Sequence, residues 1–544
     1  MKFFKKTVLF LLVISFVVAV VGCGQSLESG DSFTLNYFLG GYGRQYIEAL
    51  AKDYEELTGV KVRLKQSGSN DDAKNKIMAG TGDDMYLANT DFFGLQAYLA
   101  NLNDLYEMEV YGEPGVKVKD KIDPRMLEYY KEDGGYYQVS ENVMTGFNWV
   151  YNKTLLDQTF PDGYQLPRTT DEFFEFGDKL FEKGIFLFTT ALGGKAYEDY
   201  TEYAWRTFLM QMMGNEGYEN FYNGYYKEGD EWVRSLESPD PLFDANATAI
   251  EQTYEVVRRL CQPTTISGEE VQYIHKRSSV LGFKDVDVMF YGGKINGVQL
   301  QPTAFIFTGV WLEREVLPYI EAGVVDITEQ QAMPMRAPVM SAIITRTPSI
   351  AKQTDPEQTL RDVVSYIDAG ETGTAPAGVT AEDIAIVSEA RRAVPKGIED
   401  SILITNYSRK IDLCKDFVTY LVSDRAQKIA AQNASGIPVL PYGYEPTEED
   451  MCFEISAFTK EFFRLADDAV LVDMSHGNKP FAKTIGMVWY ADNTRLGNDR
   501  LTKALFYKEN PPAKNEIVAS TKSQFRVGWE NLIETFYEKY GEDA

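Results

Sequence analysis

Histidine and cysteine, the usual carriers of nucleophilic, acid–base and metal chemistry, are nearly absent from this 544-residue chain. His275 and His476 are its only histidines, too few for histidine-based zinc chemistry or a Ser-His-Asp triad. Cys23, Cys261, Cys414 and Cys452 match no zinc spacing and no redox Cys-x-x-Cys. The 81 acidic residues leave room for a carboxylate pair flanking a glycosidic bond, yet no catalytic motif accompanies them. Adjacent tyrosines such as Tyr129 and Tyr130 diverge on a helix and oppose on a strand, which makes a poor iron site. Aromatic rings are abundant instead, with 34 Tyr, 32 Phe and 6 Trp. Most of them belong to large cores. A flat ring nevertheless matches the C–H face of a pyranose, and Asp, Asn, Gln and Arg satisfy ambivalent sugar hydroxyls in a partly desolvated cleft.

Length alone calls for two or more folding units. The formal charge of −27 argues against nucleic acid, which needs basic patches, and against electrostatic adhesion to anionic lipid. Met1–Lys6 is basic, and Val8–Val21 is apolar apart from Ser15, the pattern of a secretory signal. It ends in Val20-Val21-Gly22-Cys23, which resembles the lipobox of bacterial lipoproteins, with Val20 in place of the usual leucine. The resemblance implies cleavage after residue 22 and lipidation of Cys23, with 23–32 as a flexible tether.

After the tether, strand and helix patterns alternate. Thr34–Leu39 reads as a strand. A helix follows with Ile47, Leu50, Ala51, Tyr54 and Leu57 inward and a stop at Gly59. Val60–Leu64 alternates as a strand, Asp71 or Asp72 caps a helix through Met78, and Asp84–Ala88 is a strand. Asp91 caps a further helix. This order predicts an α/β sheet whose ligands meet loops at the carboxyl ends of strands, here Gly40–Gly43, Ser67–Asn70 and Asn89–Phe93. Phe147, Trp149 and Tyr151 alternate along another strand, with core the better role for Trp149. Thr169 and Glu172 form a capping box for the next helix, which stops at Gly184. Glu216–Asp240 lacks period and reads as a loop or insertion. Thr248–Leu260 reads as a helix, and Asp287–Phe290 and Ala304–Phe307 as strands.

The order of several segments is similar to that of the extracellular solute-binding proteins of ABC importers, in the branch that takes up oligosaccharides. They are Glu56–Val62, Ala79–Tyr86, Gly146–Asn152 with Pro167–Glu172, Phe290–Lys294, Phe307–Trp311, Tyr407–Gln427 and Gly436–Pro438. The resemblance implies a two-lobed, periplasmic-binding-protein-like α/β fold of type II, like maltose-binding protein, with discontinuous lobes joined by a hinge. Residues 33–142 and 340–440 would form lobe one, with an insertion at about 347–400, and 143–339 with 441–544 would form lobe two. The crossings are expected near Glu141–Gly146, at Arg336–Ala342 and beyond Tyr442. The helix Lys410–Leu421 would return the chain to lobe one.

The same resemblance assigns ligand contacts to Asp91, Thr145 and Trp311, to Trp489 and Tyr490, and more weakly to Tyr197, Trp205 and Arg336. Arg336 serves equally as a hinge brace. It implies a non-enzymatic, monomeric receptor on the extracytoplasmic face of the cell membrane, anchored by lipid on Cys23. The receptor would need no cofactor or metal and would pass an oligosaccharide to ABC permease subunits. The competing readings are the same fold holding a peptide or polyamine, an extracellular glycan-active enzyme, or an adhesin-like scaffold.

Overall fold

Two mixed sheets organise the chain. The computed structural model describes residues 31–38, 43–88, 92–132, 134–140, 147–193, 200–325, 331–395, 401–434, 442–450, 455–472, 480–484 and 501–541. The strands used below are, in chain order, β1 (Ser32–Tyr37), β2 (Lys61–Gln66), β3 (Met85–Ala88), β4 (Gln138–Ser140), β5 (Phe147–Asn152), β6 (Phe186–Thr189), β7 (Thr303–Gly309), β8 (Ala332–Met335), β9 (Ala393–Pro395), β10 (Ser401–Ile404) and β11 (Val470–Val472). The first sheet has the order β2-β1-β3-β10-β4 and the second β8-β5-β7-β6. In the first, β1, β2 and β3 are parallel and β10 runs against both its neighbours. In the second, β7 is parallel to β6 and antiparallel to β5. The fold is thus a two-lobed α/β arrangement in which each lobe takes strands from distant parts of the sequence.

Lobe one is built as its periodicity predicts. Helix Gln45–Thr58 buries Ile47, Leu50, Ala51 and Tyr54, and Gly59 closes it at φ 75°. Leu57 is exposed, one turn past the buried stripe. Ser69, not Asp71 or Asp72, caps helix Asn70–Met78 by accepting from the Asp72 amide. The turn Gly82–Asp84 is a structural clamp at the end of β3 remote from the loops after β1 and β3. Asp84 accepts from the Thr34 amide at 2.8 Å and from Ser408 Oγ at 2.6 Å, and so ties β1 to the chain beyond β10. Helix Ile411–Leu421 buries Leu413, Cys414, Phe417 and Leu421 against this sheet.

Lobe two is buried on both faces of its sheet. Trp149, Phe305 and Phe307 face one core, and Val150 and Ile306 face the other. Thr169 caps helix Thr170–Glu182 by accepting from the Glu172 amide, and Glu172 accepts in return from the Arg168 amide, one residue before the cap. Glu216–Asp240 is structured rather than loop. Helix Asn215–Tyr222 buries Tyr218, Phe221 and Tyr222, and Tyr225–Glu228 pairs with Glu231–Arg234 as a hairpin. Asp287–Phe290 belongs to helix Phe283–Phe290, because a four-residue apolar run has no length to separate strand from helix. Helices Ala457–Asp467, Leu501–Tyr507, Ile517–Phe525 and Trp529–Tyr540 complete this lobe.

The insertion is the main departure from expectation. Its helices Pro356–Asp368 and Ala381–Arg391 close a small core of their own around Val339, Ile343, Leu360, Val364 and Val387. They then pack on lobe two, not lobe one. Arg168 Nη1 donates to Ser365 Oγ at 2.8 Å, and Arg361 pairs with Glu175 at 2.7 Å. Buried Gln211 donates to the Ala390 and Pro338 carbonyls and accepts from the Met340 amide. The stretch Arg336–Ala342 therefore stays on lobe two, and the chain returns to lobe one between Pro395 and Ser401. The polar root supports this, since Gln211 satisfies backbone groups on both sides of the insertion that are buried with it.

Gln211→Ala removes all three of those bonds at once. It should lower stability by about 1–3 kcal/mol, and limited proteolysis should show the segment 341–395 cleaved first. A cleavage pattern unchanged from wild type would contradict this anchoring.

Candidate functional site

Strand register shows where the two lobes face each other. Ser401 pairs with both Ala88 and Ser140, so the carboxyl ends of β3 and β4 lie with the amino end of β10. Gly309 pairs with Phe147 and Met335 with Trp149, so the carboxyl ends of β7 and β8 lie with the amino end of β5. β6 runs parallel to β7 and points its Thr189 end the same way. β4 ends, and β5 and β10 begin, at these same ends. Both sheets therefore turn the carboxyl ends of their parallel strands toward the crossings, where α/β sheets bind ligands.

Trp311 stands at that edge. It follows the end of β7 and precedes helix Leu312–Glu321, whose Glu315 amide donates to the Trp311 carbonyl at 2.9 Å. The half-buried indole folds back over Gly309, where any Cβ would overlap the ring. Glycine is required there for closeness rather than for its φ. Tyr200 meets the indole edge-on at 6.1 Å between centroids. Trp311 touches the apolar clusters on both faces of the sheet, so it is a platform held from below. The Tyr200 partnership was not legible in sequence, because Tyr200 precedes its helix by one residue and lies more than a hundred residues from Trp311.

The other expected contacts fare differently. Trp205 is 1% exposed inside the lobe-two core, beside Trp149 and Phe208, with its indole N–H donating to Thr502 Oγ1. It is a core residue, because the helical face it shares with Phe208 is the one packed on the sheet. Arg336 lies one residue past β8, its side chain 11% exposed and ion-paired with Asp468, which also pairs with Arg392. That is a brace between β8 and the segment leading into β11. Asp91, Thr145, Tyr197, Trp489, Tyr490 and Cys23 lie outside the described residues.

His275 is pushed down to about 4 by burial and by Arg277, and its Nδ1 accepts from the Arg277 amide. It is thus a neutral turn-forming acceptor near pH 7. Among the described residues no group of three or more His, Cys, Asp or Glu gathers as a metal site, and no helix is long and apolar enough to cross a membrane. A cavity of about 270 Å³ opens between helices Thr170–Glu182 and Ala247–Cys261 and the Ser341–Arg346 turn. Asp171, Glu255, Arg259, Ser341 and Glu357 line it, and no lobe-one residue does.

Residues 40–252 match the profile of the family described as bacterial extracellular solute-binding protein. Among solved structures, the chain is similar to RafE from Streptococcus pneumoniae at 13% identity and TM-score 0.52, covering 93% of this chain and 100% of that one. It is similar to a chitin oligosaccharide binding protein at 14% and 0.54, covering 95% and 99%. The GacH receptor of Streptomyces glaucescens follows at 15% and 0.53, covering 93% and 99%. At these identities the likeness shows the fold. No curated protein matches the chain significantly.

The two tryptophans should separate in stability. Trp205→Ala should cost about 3–5 kcal/mol through its cavity. Trp311→Ala should cost roughly 1–2 kcal/mol, since its ring is only partly buried. Thermal unfolding of the two variants checks the order, and equal losses would refute it.

Proposed function

We propose that this chain is a solute-binding protein that captures a carbohydrate ligand, an oligosaccharide, between its two lobes without catalysis, and presents it to the permease of an ABC importer. One observation carries the reading: an aromatic platform, Trp311 with Tyr200, at the carboxyl end of β7 and on the side of the crossings. A pyranose face laid on that ring buries apolar C–H surface, and polar groups of the opposite lobe complete its hydroxyl bonds. Asp91, Thr145, Tyr197, Trp489 and Tyr490 remain our proposed further partners. Similar solved structures, one in complex with raffinose, one a chitin oligosaccharide binding protein and one in complex with acarbose, support the ligand class. A ligand touching both lobes favours the closed state by its differential affinity for closed over open. The permease would read that closed shape. Lipid on Cys23 would keep the receptor at the membrane.

Calorimetry of the purified protein against an oligosaccharide panel tests this reading. One saccharide should bind, and at a hundred times its dissociation constant it should stabilise the fold by roughly 2.7 kcal/mol. Trp311→Ala should weaken that binding about tenfold or more, near 1.4 kcal/mol. No heat with any glycan would sink the proposal, and release of reducing ends from a bound glycan would replace it with an enzyme. Radiolabelled palmitate should enter the wild-type chain and not Cys23→Ser.

A further inference from the structure

The helix that Trp311 opens carries acids into apolar surroundings. Leu312–Glu321 packs with Phe283–Phe290 in the core that holds Val288, Phe290, Leu312 and Val316. Asp287, on the second of these helices, is 4% exposed. Glu315 buries its Oε2 with no hydrogen-bond partner. The two carboxyls repel each other, and the cation acting on both is the exposed Lys284. Two residues before Glu315, Glu313 accepts from Ser456 Oγ. Ser456 caps helix Ala457–Asp467, the first element after the third crossing. Asp285, Tyr291 and Tyr319 are the remaining titratable groups that interact with this cluster.

Two like charges buried on helices that pack together, with no ion-paired cation among the described residues, are strongly disfavoured against the protonated form. We propose that Asp287 and Glu315 form a proton-dependent latch on the Trp311 helix. With its protons in place, the pair lets the two helices close on each other. When the protons leave to solvent, repulsion and hydration loosen the first turn and the platform it supports. The latch itself needs no ligand, and its consequence for capture rests on the carbohydrate reading above.

Burial first, then mutual repulsion, raises Asp287 well above the ordinary carboxyl range, and burial pushes Glu315 up to about 7. Each group binds its proton more tightly folded than unfolded, so unfolding releases protons and stability falls as pH rises. For Glu315 the fall runs from its unfolded value of 4.5 to about 7, and Asp287, raised from 3.8, contributes in the same sense. Asp240, held below the ordinary range by Arg526, acts in the opposite sense and at more acid pH.

The test is thermal unfolding of the full chain from pH 5 to 8.5, for wild type, Glu315→Gln, Asp287→Asn and the exposed control Glu382→Gln. The wild type and the control should lose melting temperature together across this range. Each buried-amide variant should lose at least about 2 °C less. Curves that run parallel for all four proteins overturn the latch. In a second arm, the saccharide selected by calorimetry is titrated at pH 5.5 and pH 8. Wild type should bind more weakly at pH 8 and Glu315→Gln equally at both, whereas pH-independent wild-type affinity overturns the coupling to Trp311. Diverging melting curves with no saccharide bound at either pH support the latch and overturn the carbohydrate reading instead.

Discussion

The pairing of Ser401 with both Ala88 and Ser140 is the constraint on which the architecture depends. A strand drawn from the last third of the chain is inserted between two from the first quarter. The sheet of lobe one is therefore incomplete until the chain has built most of lobe two and come back. β10 runs against its neighbours, so its amino end, where the returning chain arrives, lies beside the carboxyl ends of β3 and β4. The crossings and the loops after the parallel strands are consequently brought to one edge. A single register thus sets both the hinge and the cleft.

Lobe two carries the heavier load. Its sheet is apolar on both faces, and Trp149 at its centre is packed edge-on by Phe173 and Phe307. The insertion adds a third small core, bolted on through Gln211, Arg168 and Arg361. These bonds are short and, at Gln211, buried, so the segment 341–395 is part of lobe two. Its helices enlarge one jaw of the fold without reaching into lobe one.

Trp311 is held from several sides. Gly309 lets its ring lie against the strand end, and Tyr200 meets its edge. The ring packs on the apolar clusters of both sheet faces. The helix it opens carries Glu315, whose Oε2 is buried, so exposed edge and buried core lie within a single turn of each other.

Periodicity and punctuation carried much of the architecture in the sequence itself. The amphipathic stripe before Gly59, the Thr169 cap, the alternating aromatics of β5 and the inward face of Ile411–Leu421 are local signals, and each appears in the structure where it was read. Local signals failed where a segment was short or its surroundings decided. Asp287–Phe290 had too few residues to separate strand from helix, and Leu57 fell just beyond the buried stripe. Trp205 carries the same residue type as Trp311, yet one is core and the other stands at the strand edge. What separates them is which helical face packs on the sheet, and no spacing along the chain encodes that. The same holds for the insertion, whose side was settled by backbone groups that only Gln211, more than a hundred residues away, is placed to satisfy. Composition and short-range pattern determined the class of fold and the chemistry of recognition. Long-range burial and pairing, which exist only once the chain is folded, decided where that chemistry sits.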